Sequence, residues 1–472
     1  MLERIMTNNV FSKITKNIFI FSILIIFSIL LSGCDGSLSE NKPINDFLNS
    51  LGITNNSESA VTEAVPTDSK VLSAVIGETP AANQDGIAET ITETPVPTPS
   101  SYLIELWIPP AFDPDQNDSE AGKALENLID HYMDEHQNVT ITHRVKATSG
   151  DSSMLNTLTS ASHIAKDVLP SLALISRNDM ESAVQRGILQ PISTSILEDG
   201  ETWYDFAKQS SSIDSVIYGI PVLADASVLT YRPSKIGPEL GDWNDILTRG
   251  LPIGFAPSSS TSMFGLFVYL SLGGKLTNDQ GQPYLDQQKL VETLNFFLTG
   301  GQNGAFPPSI SQLVDQGQVW QRFNEGTIQM IISQLSSFRH YQSPDISVLA
   351  LPLSDNVSEY PLINTWNLVL IEDNPIYQEE AVRFAEYFSD MAVNDKLSAE
   401  AGYIPVRRGE HKAWAEDPQR EIIEMMSENG LLVPNNQITN KLVPLINNAV
   451  LQVIKNQMSP DEAAKEAMSS LN

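Results

Sequence analysis

Oxygen-bearing side chains recur at alternate positions in Asp113-Pro114-Asp115-Gln116-Asn117-Asp118-Ser119, the spacing with which a calcium loop fills its first four odd positions. Such a loop wants glycine at its sixth position and a bidentate glutamate at its twelfth; here they are Asp118 and Ala124. Calcium affinity should then be poor, and the run reads as an acidic loop with Asp and Ser caps. The histidines offer no metal set. His131 and His136 stand on different faces of a helix, and His143, His163, His340 and His411 are scattered. Gly273-Gly274-Lys275 is followed by Leu276 where a phosphate loop needs Ser or Thr, and Tyr269 stands where that loop needs its first glycine. Neither G-x-S-x-G nor H-E-x-x-H occurs. No catalytic residue, metal or cofactor is expected.

The single cysteine, Cys34, closes the tetrapeptide Leu31-Ser32-Gly33-Cys34. Lys13 and Lys16 precede an almost entirely apolar run from Asn17 to Leu31, of about 15 residues, where a spanning helix needs ~20. A charged flank, an apolar stretch and small residues before a cleavage point make a secretory signal peptide. The tetrapeptide resembles a bacterial lipobox, which implies cleavage after Gly33 and lipidation of Cys34. The alternative is a retained signal anchor with an incidental cysteine. With no second cysteine there is no disulfide, so an exported chain must hold itself together by its core.

The elements that would position a site begin late in the chain. From Cys34 to residue 100 the sequence is acidic and rich in Ser, Thr and Pro, ending Pro95-Val96-Pro97-Thr98-Pro99-Ser100. Such a composition cannot offset the entropy of ordering, and a tether is expected. At Tyr102 the character changes. Tyr102–Ile108 reads as a buried strand, and Leu125, Leu128, Ile129 and Tyr132 share one helix face. Val139–Thr142 alternates as a strand, a helix is expected near Ser152–Ile164, and Leu172–Ile175 is an apolar strand. Strands alternating with helices predict an α/β fold with parallel-dominated sheets covered by helices. Ser459-Pro460-Asp461-Glu462 reads as a capped helix start. The net charge of −30 disfavours nucleic acid and anionic lipid as partners and suits a monomer.

Dispersed signals complete the reading: Leu189-Gln190-Pro191-Ile192; Tyr218-Gly219-Ile220-Pro221-Val222 leading to Asp225 and Val228–Tyr231; Gly273–Gly281; Phe323-Asn324-Glu325-Gly326; Asn364–Leu370; and Gly402–Arg407. In this order they resemble the extracellular solute-binding proteins of ABC importers, in the branch that includes maltose-binding protein. The resemblance implies two α/β lobes with a ligand closed between them. Lobe one would hold 101–225 and 346–400, and lobe two 232–343 and 401–472. The crossings would lie near Ala224–Tyr231 and Val348–Leu353. It implies a lipid-anchored receptor on the extracytoplasmic face of the membrane that delivers a mono- or oligosaccharide to an ABC permease and makes no bond. The alternatives are an exported carbohydrate-active enzyme and a ligand sensor for a membrane receptor.

The same resemblance places Trp107 at the end of the first strand, where cleft and core are equally expected. It places Trp366 at the cleft, where an aromatic face would stack on sugar C–H surfaces. Asp225 matches a carboxylate that bonds sugar hydroxyls; its alternative is a hinge residue capping a backbone N–H. Phe112, Ser336 and Phe338 complete the expected ligand residues. Ile108-Pro109-Pro110-Ala111-Phe112 stands where the family carries polar contacts, and Ser336 where it carries a stacking tryptophan, with Phe338, His340 and Tyr341 following. Ser258–Ser262 could offer hydroxyls or simply cap a helix. A cleft less polar than the maltose type is therefore expected.

Overall fold

The computed structural model describes residues 100–116, 119–198, 200–237, 239–352 and 361–471. The signal segment, Cys34, the tether up to residue 99, and the Leu353 end of the second crossing lie outside the described residues, as do Asn117 and Asp118.

The alternation in the first strand decides the layering of the first lobe. In β1 (Tyr102–Ile108), Ile104, Leu106 and Ile108 face one side and pack with Leu125, Leu128 and Phe384. Trp107 faces the other side and packs with Met154, Leu158 and Met180. Successive side chains of a strand point to opposite faces, so a strand buried on both must be apolar throughout its centre. β2 (Val139–Val145) and β3 (Leu172–Ser176) flank β1 in parallel. The helix Glu120–Glu135 starts at Ser119, whose hydroxyl accepts the Gly122 N–H at 2.8 Å. Gly122 is required here: a Cβ would meet the Asp113 carbonyl at 2.3 Å, so the helix start lies directly on the preceding turn.

A short hairpin, β4 (Ser212–Ile213) and β5 (Val216–Ile217), precedes β6 (Gly219–Tyr231), a 13-residue strand that serves both lobes. In the second lobe β7 (Ile253–Gly254) lies parallel to β8 (Met330–Gln334), and β8 and β9 (Ser347–Ala350) pair antiparallel with the second half of β6. The chain then returns as β10 (Leu362–Leu370), antiparallel to β3 and to the first half of β6, with β11 (Leu431–Leu432) beside its start. The strand order β2-β1-β3-β10-β6-β8-β7 is therefore mixed where parallel-dominated sheets were expected. The reason is the return itself: β10 re-enters the first lobe against the direction in which β6 leaves it.

The lobes differ in extent from the expectation. β9 pairs with Val228–Tyr231 and so lies with the second lobe, and re-entry waits for β10. Ile404, Val406, Trp414, Ile423 and Met426 join Trp203, Ala224, Phe338 and Ile363 in a core at the junction, outside the second lobe proper. The helices Asn436–Ile454 and Pro460–Leu471 do pack in the second lobe, around Phe255, Phe264, Phe297 and Phe306. Ser459 and Glu462 form the expected reciprocal cap: Ser459 N–H donates to Glu462 Oε2 at 3.0 Å, and Glu462 N–H to Ser459 Oγ at 3.4 Å.

The lobes also touch away from the crossing strands. Glu181, on the first-lobe helix Arg177–Gln185, accepts the Asn436 N–H at 2.7 Å. The Asn436 amide donates to the Asn178 carbonyl at 2.7 Å and to Ser182 Oγ at 3.0 Å. Among the described residues no helix is long and apolar enough to cross a membrane.

Candidate functional site

A cleft of about 830 Å³ opens between the lobes. Its first-lobe wall is Pro110, Ala111 and the start of the helix Glu120–Glu135, together with Glu400–Tyr403. Its second-lobe wall is Ser336, Ser337 and Arg339–Gln342, from the helix that follows β8 and the turn after it. Local sequence explains both walls. Pro109 and Pro110 cannot donate to a ladder, so β1 ends and the chain makes a single turn, Pro110–Phe112. Ser119 Oγ fixes that turn by donating to the Ala111 carbonyl at 2.9 Å while it caps the helix. Gly402, with φ of +75°, ends the helix Met391–Ala401 and lets Tyr403 turn toward the cleft.

The cleft mixes polar and apolar lining in equal measure, and its ionic groups have partners. Arg339 is held by Asp417, by Gln419 at 3.1 Å, and over the Trp414 ring at 5.4 Å. Glu120 pairs with Lys123 at 3.0 Å and Glu400 with Lys396 at 3.8 Å. Gln116, Ser336, Ser337, Gln342 and Tyr403 add neutral donors and acceptors. One aromatic platform is present. Tyr341 is 40 % exposed, and its ring lies 4.4 Å from that of buried Trp320. A supported, half-exposed phenol ring is suited to stacking on an apolar ligand face.

Of the six expected ligand residues, Ser336 lines this cleft. Phe112 is buried beneath it, stacked on Tyr403 at 5.4 Å and edge-on to Trp366 at 5.6 Å, so Trp366 backs the wall. Trp107 takes its core alternative. Its indole N–H donates to Glu105 at 2.8 Å, and Lys146 caps the ring at 4.2 Å. Phe338 is fully buried in the junction core, two residues on from Ser336 and so on the opposite side of their helix. Asp225 takes its capping alternative. Its carboxylate accepts the N–H groups of Ala226 at 2.9 Å and Ser336 at 3.2 Å, and the Ser336 hydroxyl at 2.5 Å. Burial pushes this carboxyl up to about 6, while the hydrogen bonds from Ser336, Ala226 and Leu335 oppose the rise.

The loop Ser258–Ser262 is bound to its own lobe, with the Asn447 amide donating to the carbonyls of Ser259 and Ser262 at 3.1 and 2.9 Å. Asp113 accepts the Asp115 N–H at 3.0 Å and the Gln116 amide at 3.4 Å, as a turn residue does. Ser337, Arg339 and Gln342 are cleft residues the sequence did not mark, and Tyr341 and Tyr403 stood in it without an assigned ligand role. The glycine before Tyr403 was the one signal that could have marked it.

The architecture is that of two α/β lobes with a cleft between them. The chain belongs to the family of bacterial extracellular solute-binding proteins, whose family model matches residues 127–422. Solved structures share the fold at low identity. The cyclic α-maltosyl-1,6-maltose binding protein of Arthrobacter globiformis is 15% identical, with 79% of this chain and 98% of that one covered and a TM-score of 0.64. A solute-binding protein of an ABC transporter from Thermotoga lettingae, bound with α-D-tagatose, is 18% identical over 79% and 99%, with a TM-score of 0.62. The GacH receptor of Streptomyces glaucescens, solved unliganded and with acarbose, is 16% identical over 78% and 97%, with a TM-score of 0.60. A comparison with curated protein sequences gives no match.

Proposed function

We propose that the chain captures a neutral oligosaccharide between its lobes and presents it to an ABC permease, anchored outside the membrane by a lipid on Cys34. The observation that carries this reading is the cleft itself: a supported aromatic platform, Tyr341, among hydroxyls and amides, with its ionic groups already paired. A ligand with net charge would find no unpaired opposite charge among these residues, whereas sugar hydroxyls match neutral donors and acceptors. At about 830 Å³ the cleft lies toward the upper end of ligand-site volumes, which favours several sugar rings over one. The fold neighbours named above are a cyclic α-maltosyl-1,6-maltose binding protein, a solute-binding protein bound with α-D-tagatose and a receptor in complex with acarbose, which supports the class and leaves the particular sugar open.

The test is a thermal-shift screen of the full chain in detergent against oligosaccharides, peptides, polyols and amino acids. A ligand that binds the native state raises the melting temperature with RT ln(1 + [L]/Kd). Shifts with oligosaccharides are expected, and shifts confined to peptides or amino acids would sink the reading. For the anchor, Cys34→Ser should release the protein from cells into the medium.

A further inference from the structure

Among the described residues that line the cleft, Arg339 is the one lysine or arginine. Its stem crosses to Gly402 on the first-lobe wall: a Cβ on Gly402 would stand 2.6 Å from Arg339 Cβ and 3.5 Å from Nε. The guanidinium therefore begins beside a cleft residue. From there it is drawn to three groups that do not line the cleft. Nη1 meets Asp417 Oδ2 at 2.5 Å and donates to Gln419 Oε1 at 3.1 Å, and the group lies over the Trp414 ring at 5.4 Å. Trp414 is fully buried, and the Arg339 and Asp417 side chains are only 17% and 14% exposed. The pair is thus poorly screened by water, and its charges act on each other far more than those of a surface pair do.

The acceptor is fixed in place before any ligand arrives. Asp417 Oδ1 accepts the Gln419 N–H at 2.8 Å, which leaves Oδ2 for Arg339. The turn that carries it is tied to the helix Met391–Ala401, where the Ala413 N–H donates to Asp395 Oδ2 at 3.0 Å and the Trp414 indole to Ser398 Oγ at 3.3 Å. The cleft carboxylates are held differently. Glu120 and Lys123 are 71% and 48% exposed, so their ion pair is weak, and the Glu400–Lys396 pair is longer, at 3.8 Å. Asp417 is the acidic group whose loss would uncover a positive charge at the cleft.

We propose that Asp417 is a positioning residue for specificity: by holding and neutralising Arg339, it withholds from acidic saccharides (uronates) the one cation that would bind them. This rests on the reading of the cleft as the saccharide site. Specificity is a difference of affinities, and leaving a charge without a partner counts against the wrong ligand. A uronate would bring a desolvated carboxylate to an arginine already taken, against a protein of net charge −30. To win Arg339 it must displace an acceptor that the chain itself holds at high effective concentration. A neutral saccharide needs no such exchange.

Two measurements on the full chain separate this proposal from the reading beneath it. The first is calorimetric titration at pH 7.5 with maltotetraose and with its twin oxidised at C6 to a carboxylate on every ring. The wild type should favour the neutral probe. Asp417→Asn keeps the shape of the side chain and should raise the ratio of acidic to neutral affinity about tenfold to a hundredfold, the effect of one new hydrogen bond between charged groups. That gain should shrink at about 0.5 M salt. Asp417→Glu should keep the wild-type ratio, and Asp417→Asn combined with Arg339→Gln should show no gain. Damage to the fold would weaken both probes alike. An unchanged ratio in Asp417→Asn, or an equal rise in the double variant, overturns the proposal. The second measurement needs no ligand. Phenylglyoxal, which adds to guanidinium groups, should label Arg339 several-fold faster in Asp417→Asn than in the wild type, read by peptide mass spectrometry, and equal rates overturn the proposal. If neither probe binds either protein, the cleft reading fails, and the labelling still decides whether Asp417 masks Arg339.

Discussion

Glu181→Gln tests the contact that joins the lobes outside the crossing strands. Arg177 and Glu181 are ion-paired at 2.8 Å with side chains only 10% and 7% exposed. Burial pushes the guanidinium down from its ordinary range, and the Glu181 charge works against that. Glutamine keeps the shape but leaves Arg177 with the Ser212 carbonyl, at 3.0 Å, as its remaining acceptor outside Glu181. Removing one partner of a buried pair costs about 3–5 kcal/mol, far more than an exposed pair of the same length. Glu181 also accepts the Asn436 N–H at the start of a 19-residue helix, where a negative charge is favourable by about 0.3–1 kcal/mol. A loss of about 3–5 kcal/mol in chemical denaturation is therefore expected.

The paired replacement Arg177→Met with Glu181→Leu leaves no buried charge uncompensated. It should recover to within about 2 kcal/mol of the wild type. The conformational consequence is separable, because Asn436 makes its three bonds only across the lobes. Asn436→Ala should raise the radius of gyration in solution scattering and weaken ligand binding, with each core intact. Single variants that cost under about 1 kcal/mol, or a double variant as unstable as the sum of the singles, would refute the reasoning.

Asp225 ties stability to pH. Its folded pKa of about 6 lies roughly 2 units above the unfolded value, at roughly 1.4 kcal/mol per unit. Stability should be fullest below about pH 4 and fall by about 3 kcal/mol as pH rises through 6, a slope that Asp225→Asn flattens in denaturation at stepped pH. Gly402→Ala puts a Cβ 2.6 Å from that of Arg339 at a φ of +75°, so a loss above about 1 kcal/mol is expected in the same assay. Tyr341→Ala removes the platform and should weaken a saccharide ligand by about 0.5–1.5 kcal/mol in calorimetric titration, with the melting temperature of the free protein little changed.

The α/β class, the first strands and the C-terminal cap were legible because each is written locally: an apolar run, a period of two, a Ser-Pro-Asp-Glu start. The mixed sheet was not. Whether Asn364–Leu370 runs with or against its neighbours depends on where the chain comes from, and β9 hides that by staying with the second lobe. The cleft was legible in outline only. Trp107 and Trp366 are ligand-like residue types, but side-chain direction on a strand is set by register, and one step along β1 separates the two faces. Asp225 and Ser336 were both found, yet as two ligand contacts; their hydrogen bond to each other spans 111 positions and leaves no trace in spacing. Tyr341 passed unchosen because Trp320, which gives it a base, lies on another helix.

These findings meet at one strand. β6 passes between its partners at consecutive residues: Ala226 pairs with Ile363 in the first lobe, then Ser227 with Gln334 in the second. A rotation of the lobes cannot break either ladder cheaply, so it must be taken up in the twist between those two pairs, as hinges take up φ/ψ change. Asp225 precedes that joint, and Ser336 follows the partner strand on its far side by two residues. The carboxylate–hydroxyl bond therefore bridges the joint itself. Any rotation that lengthens it separates the Ser336 hydroxyl from the carboxylate, so the bond holds at this lobe angle and is lost as the lobes turn away from it.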